Sequence, residues 1–324
     1  METYDISASS PPRNQVLPEW VAFVLRRLLF IAGVAFAIVY FYIFGLRLLI
    51  NSATVGRPVS AWELAGPALE ETVDFFNDAL RGNLSYVVRD LLVETYLPSG
   101  RLLLTAIGMA AVLGVVAGGL AAAWRHSPLA LPTLTLTVIG ISIPSFFLAL
   151  LLQVADIRFY QRTGVGLFPV YGISLRRTES LLPQVVAPAL VLAARPLAHI
   201  TRVTFVSLSE VLERDFIRTA RAKGLGPTVV FWRHALRNAG IPILTAVVVS
   251  LRFGLGSLPV VELFFTWPGL GQAMLEAIYQ GQVWMVAALG LSLGVTFLLI
   301  TLLLDLVYRW IDPRLREVGE GSGP

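Results

Sequence analysis

SLSEVLERDFIRTARAKGLGPTVVFWRHALRN, residues 207–238, is a polar and basic segment set between long apolar runs. It holds Arg214, Arg218, Arg221, Lys223, Arg233 and Arg237, and Lys223 is the only lysine of the chain. With Arg195 and Arg202 just upstream, eight of the 25 Lys+Arg lie in or beside it. A segment that stays in water, flanked by segments that leave it, reads as a loop between membrane spans. A large basic loop of this kind faces the cytoplasm, where soluble partners can reach it.

Working outward, 56% of the 324 residues are hydrophobic and only 14% are charged. The mean hydropathy is +0.73. Soluble domains carry roughly 25% charged residues, so the chain is an integral membrane protein. The net charge of +4 is the ordinary signature of basic cytoplasmic loops and does not point to nucleic acid. There is no cysteine, which excludes disulfides, thiolate metal sites and a cysteine nucleophile. Residues 1–25 read as a cytoplasmic tail, and no cleavable signal peptide is expected, because the apolar run after Arg26-Arg27 is too long for one.

Six apolar runs stand out: Leu28–Leu49, Leu102–Trp124, Leu131–Val154, Leu182–Phe205, Ile241–Val261 and Trp284–Tyr308. Each approaches or exceeds the ~20 residues that cross ~30 Å of hydrocarbon as a helix, and none alternates as a barrel strand does. The expected fold is therefore all-α with six transmembrane helices. With the N-terminus inside, inner segments carry fifteen Lys+Arg and outer segments nine, with Arg252 inside a span. That bias puts both termini in the cytoplasm.

The membrane body would run over 26–311, with an outer insertion at 51–101 and a cytoplasmic tail at 312–324. In the insertion, Leu64, Ala65, Ala68, Leu69, Val73, Phe76, Leu80, Leu84, Val87 and Val88 fall mostly three or four apart. Amphipathic helices outside the bilayer would follow, serving either as a cap on the spans or as a dock. Gly114/Gly118 and Gly290/Gly294 are GxxxG pairs that suit close helix packing. Pro132, Pro144, Pro188, Pro196 and Pro259 are expected to kink their helices.

Within the basic loop, Leu208, Val211, Leu212, Phe216, Ile217 and Ala220 trace one helical face. Gly224-Leu225-Gly226-Pro227 should break that helix, with glycine at a left-handed cap and proline opening the next turn. A short second helix over Thr228–Arg237 follows, and Pro242 then suits the start of the fifth span. The product is a helix–turn–helix projection below the membrane.

Asp215-Phe216-Ile217-Arg218-Thr219-Ala220-Arg221-Ala222-Lys223-Gly224-Leu225 and His234-Ala235-Leu236-Arg237-Asn238-Ala239 resemble the EAA loop of ABC importer permeases. The match is closest to the dipeptide/oligopeptide/nickel group. Arg26-Arg27-Leu28-Leu29 resembles the opening of the B-type subunit, and Gly82-Asn83-Leu84-Ser85 a weakened outer motif. Ser142-Ile143-Pro144-Ser145-Phe146, Glu262, Phe264, Pro268-Gly269-Leu270-Gly271 and Asp312-Pro313-Arg314-Leu315-Arg316 also fit the group. Departures gather on the outer side: Ser257-Leu258-Pro259 replaces a glycine-rich approach, and Gln280-Gly281-Gln282-Val283-Trp284 replaces an Arg/Asp-Pro element.

The resemblance implies a type I importer permease fold. It implies a second, homologous C-type permease, two ATPase subunits that bind ATP and Mg, an extracytoplasmic solute-binding protein, and a prokaryotic inner membrane. It implies that Asp215, Arg218, Thr219, Ala220, Arg221, Lys223, Gly224, Leu225, His234, Leu236 and Asn238 couple to an ATPase. Peptides or a related small solute would be the cargo.

No phosphate-binding G-x-x-x-x-G-K-[ST] occurs, so the chain is not expected to be an enzyme or to hold a cofactor. His126, His199 and His234 lack metal-ligand spacing. Arg252 sits mid-run, where a charge costs ~2.5–3.5 kcal/mol on insertion scales. It should line the translocation path or find a structural partner; Glu262 is the second path candidate. Asp305 reads as an interfacial anchor, and Arg195 and His199 as snorkelling groups near the inner end of the fourth span. The rival classes are a secondary carrier and a non-transporting membrane scaffold.

Overall fold

A computed structural model of the chain describes residues 19–54, 60–82, 86–128, 130–166, 168 and 182–311. The expectations for 1–18, Asn83-Leu84-Ser85 and 312–324 fall outside the described residues. Among the described residues every regular element is helical: α1 (Glu19–Thr54), α2 (Ala61–Leu80), α3 (Tyr86–Ala123), α4 (Ala130–Ser142), α5 (Ser145–Thr163), α6 (Leu182–Glu213), α7 (Asp215–Ala222), α8 (Pro227–Val229), α9 (Leu236–Phe264), α10 (Leu270–Tyr279) and α11 (Val283–Ile311).

Among the described residues five helices are long and apolar enough to cross a bilayer, over Val24–Leu49, Asp90–Ala123, Gln184–Glu213, Pro227–Phe264 and Trp284–Leu306. The third apolar run differs from the expected single helix. It breaks at Ser142-Ile143-Pro144 into α4 and α5, which bend 102° apart and make a sixth span if counted together. Pro144 has no N–H to give and its ring blocks the preceding turn, so it adopts φ −62°, ψ 140° and opens α5 instead.

α6 is the pillar, packing against α3, α9, α4, α5 and α7. Its small residues Ala187, Ala189, Ala193 and Ala198 are buried and let neighbours approach closely. At Gly118 of α3 a Cβ would lie 2.5 Å from the Thr201 carbonyl oxygen, and at Gly114 2.9 Å from Ile200. The first GxxxG pair is thus a helix-packing groove on α6. The second pair faces α1, with Gly290 on Tyr42 and Gly294 on Ile38. In hydrocarbon, where water exclusion drives nothing, such dispersion contacts hold the bundle.

α2 lies on α1, with Ala68 and Phe75 buried against Val39 and Ile43 and Glu71 paired with Arg47. α10 is a short helix between α9 and α11. Its Leu270 and Ala277 pack on Val286 and Leu289 of α11.

Candidate functional site

The basic loop is an elbow set on two long helices. α6 does not end with its apolar run but continues to Glu213. The chain turns at Arg214 (φ −65°, ψ 148°) and α7 begins at once. The expected single helix over 208–223 is therefore two helices. Arg214 still supplies the first carbonyls, accepting from Ile217 N at 3.0 Å and Arg218 N at 3.4 Å. Asp215 in the first turn and Arg221 in the last complement the helix dipole. Thr219 Oγ1 donates to the Asp215 carbonyl at 3.1 Å. Asp215 and Arg218 pair at 3.3 Å, but with 93% and 76% of their side chains exposed the pair contributes little stability.

Burial orients α7. Ile217 and Ala220 join Leu208, Leu212, Ala122, Val230 and Ala235 in one apolar cluster. Ala220 is thus an inward residue, whose small side chain lets α7 lie close to its neighbours. The helix ends at Gly224, whose φ is +79°. Gly224 N donates to the Arg221 carbonyl at 2.9 Å and Leu225 N to the Ala220 carbonyl at 3.3 Å, the paired bonds of a Schellman cap. Gly226 caps the next helix, and Pro227 occupies its first turn.

The second arm also departs from expectation. A separate short helix over Thr228–Arg237 does not form; Pro227–Phe264 runs on as one helix of 38 residues. A π-helical turn, Val230–Ala235, lies within it. Asn238 Nδ2 donates to the His234 carbonyl at 2.7 Å, beside that turn. His234 and Leu236 are half-buried, while Asn238 is exposed. Pro242 lies inside α9 and starts nothing.

The elbow brings together, on one uncovered surface, Asp215, Arg218, Thr219, Arg221, Lys223, Gly224 and Leu225. Every residue from Arg221 to Val229 is exposed. Apolar Phe216, Leu225, Val229 and Trp232 are exposed among these cations. An apolar tip ringed by basic groups is the composition of a protein-docking surface.

The two path candidates sit elsewhere. Arg252 Nη2 donates to Asp305 Oδ1 at 2.9 Å, and Arg27 Nη2 donates to Oδ2 of the same carboxylate at 2.7 Å. Arg252 therefore has a structural partner within this chain, and Asp305 ties α1, α9 and α11 together. Glu262 is fully buried. Ser99 Oγ donates to its Oε1 at 2.5 Å and Gly271 N to its Oε2 at 2.7 Å. Ser99 Oγ also accepts from Leu270 N at 2.9 Å. The carboxylate thus closes the N-terminus of α10, where a negative charge is favoured. Pro98 O accepts from Trp267 Nε1 at 3.0 Å, which fixes the turn that carries Thr266 at φ 51°.

Arg195 and His199 lie midway along α6. α6 continues eighteen residues past Arg195, and both side chains lie against Phe253 of α9. Arg195 sits 5.8 Å from its ring centroid and His199 makes an edge contact at 5.4 Å. The length of α6 was legible in part: Ser207, Ser209 and Glu210 are polar, yet Leu208, Val211 and Leu212 keep the helical period beyond Phe205.

Residues 114–317 match the family described as "Binding-protein-dependent transport system inner membrane component". The glutathione transport system permease protein GsiC of Escherichia coli K12 is 34% identical over 257 residues, covering 77% of this chain and 80% of that protein. Its counterparts in Shigella dysenteriae serotype 1 and Shigella boydii serotype 4 are 34% and 33% identical over the same length, with the same coverage. With the elbow set between the fourth and fifth spans of an all-α membrane bundle, the chain belongs to the binding-protein-dependent transport system inner membrane components, the permease subunits of ABC importers.

Proposed function

We propose that this chain is the B-type half of a heterodimeric importer for short peptides or a related small solute. Two ATPase subunits, holding ATP and Mg, engage it and its C-type partner from the cytoplasm, and a solute-binding protein delivers cargo on the other side. Both termini face the cytoplasm. ATP hydrolysis belongs to the partner subunits, because this chain has no phosphate loop.

The observation that carries the reading is the elbow. Its tip is exposed while its inner face is locked into the ends of α3, α6 and the helix that becomes α9. A tip gripped by a closing ATPase dimer therefore moves two spans without an intervening hinge of loose chain. Closure pushes the elbow, the spans turn outward to the binding protein, and hydrolysis returns them. Alternating access in this form requires rigid arms, and the Schellman cap at Gly224 and the continuous helix from Pro227 supply them.

Co-expression with the ATPase and C-type subunits, purification and reconstitution into liposomes test this reading. ATP-dependent uptake that requires a binding protein is expected. Glutathione, named in the curated relatives, is the first cargo to try. Uptake driven by a proton gradient without ATP would favour a secondary carrier; an intact complex that moves nothing would favour a scaffold.

A further inference from the structure

Two arginines and a histidine occupy one face of the pillar helix in the middle of the bundle. Arg195, His199 and Arg202 stand at i, i+4 and i+7 of α6, and Val206 follows at i+11. At 100° per residue all four fall within about 60° of arc. Arg195, Arg202 and Val206 are exposed and His199 is half-buried. The same face continues to Glu210 and Glu213, both exposed, at the inner end of α6. A rise of 1.5 Å per residue puts Arg195 about 27 Å from that end.

The depth of the stripe is fixed by its neighbours. Phe253, beneath Arg195 and His199, lies near the centre of the fifth apolar run. Ile200 lies on Gly114 and Thr201 on Gly118, both within the second apolar run. Neither Arg195 nor Arg202 has a carboxylate partner among the described residues, whereas Arg27 and Arg252 share Asp305. Two arginines and a histidine on one uncovered face at this depth do not face hydrocarbon. They face water or another subunit, and the continuous exposure down to Glu213 favours water entering from the cytoplasmic side.

We infer that the Arg195–His199–Arg202 face of α6 lines the translocation path and receives the carboxylates of an anionic cargo. The inference rests on the importer reading above and adds the class of substrate. A guanidinium binds a carboxylate in a fixed fork. Two of them seven residues apart lie about 10 Å from each other along the helix, matching a short peptide that carries a carboxylate at each end. Phe253 holds Arg195 by its ring face and leaves the guanidinium edge free to donate.

The chain has no cysteine, so a single Val206→Cys reports on the stripe directly. The assembled complex with its second permease and ATPases, in nanodiscs, is labelled with an anionic and with a cationic methanethiosulfonate. Each rate is normalised to the rate with a small free thiol. The anionic reagent is expected to react faster by about tenfold, as focused positive potential concentrates anions. Arg195→Gln with Arg202→Gln should abolish the preference, and Arg195→Lys with Arg202→Lys should retain it. A tripeptide with two free carboxylates should slow the labelling; its fully amidated counterpart should not. Protection of the thiol from both reagents, equal rates for both, or equal effects of the two tripeptides would overturn the inference. Co-purification with the ATPases shows that each variant is assembled. Because labelling needs no turnover, its failure is distinct from a failure of ATP-driven uptake, which would overturn the importer reading itself.

Discussion

Arg252 of α9 donates to Asp305 of α11 at 2.9 Å, and the other oxygen of that carboxylate accepts from Arg27 of α1 at 2.7 Å. One carboxylate thus joins three spans. Asp305→Ala should leave two arginines facing a lost partner and destabilise the chain by about 1.5–3 kcal/mol. Asp305→Ala with Arg252→Leu should be less damaging than the sum of the two singles. Thermal unfolding of the four proteins in detergent reads this as a coupling energy.

Glu262 makes a different prediction, because its carboxylate is sealed. Glu262→Ala removes the acceptor for Ser99 Oγ and Gly271 N at once. The loss should be about 2–5 kcal/mol, because two buried donors are each left without an acceptor. Ser99→Ala, which removes one donor, should cost about 1–3 kcal/mol. A protease-resistance assay on the outer loop would show α10 detaching in the first variant.

Glycines separate into those that touch and those that do not. At Gly118 a Cβ meets the Thr201 carbonyl of α6, while at Gly33 of α1 nothing lies within 4 Å. Gly118→Ala should lower stability by about 1–3 kcal/mol through overpacking. Gly33→Ala should be neutral or slightly stabilising in its helix. Unfolding midpoints of the two variants check the contrast.

Gly224 holds φ +79° at the tip of the elbow. A non-glycine residue there costs about 1–2 kcal/mol locally and changes the surface that the ATPase meets. Gly224→Leu should insert into the membrane normally yet lose binding-protein-stimulated ATP hydrolysis. Hydrolysis by the reconstituted variant, compared with its expression level, separates the two effects.

The long apolar runs were legible because hydrocarbon imposes one requirement, an internally satisfied backbone. The cap at Gly224 was legible because few residues tolerate its backbone angle. What the sequence concealed depended on contacts distant in the chain. Arg252 read as a bare charge because its partner Asp305 is 53 residues away, and the Ser99 hydroxyl that holds Glu262 lies 163 residues upstream of it. The break at Pro144 looked like a kink, since composition alone does not distinguish a bent helix from a broken one.

The most direct test of the account is proximity of the elbow to the ATPase. Arg218→Cys, in a chain with no other cysteine, is fitted with a short bifunctional crosslinker in the assembled importer within sealed inside-out vesicles. A covalent adduct with the ATPase subunit, changing in yield when ATP binds, is the predicted result. Adducts only with the solute-binding protein, or labelling only from the opposite face of the membrane, would contradict it.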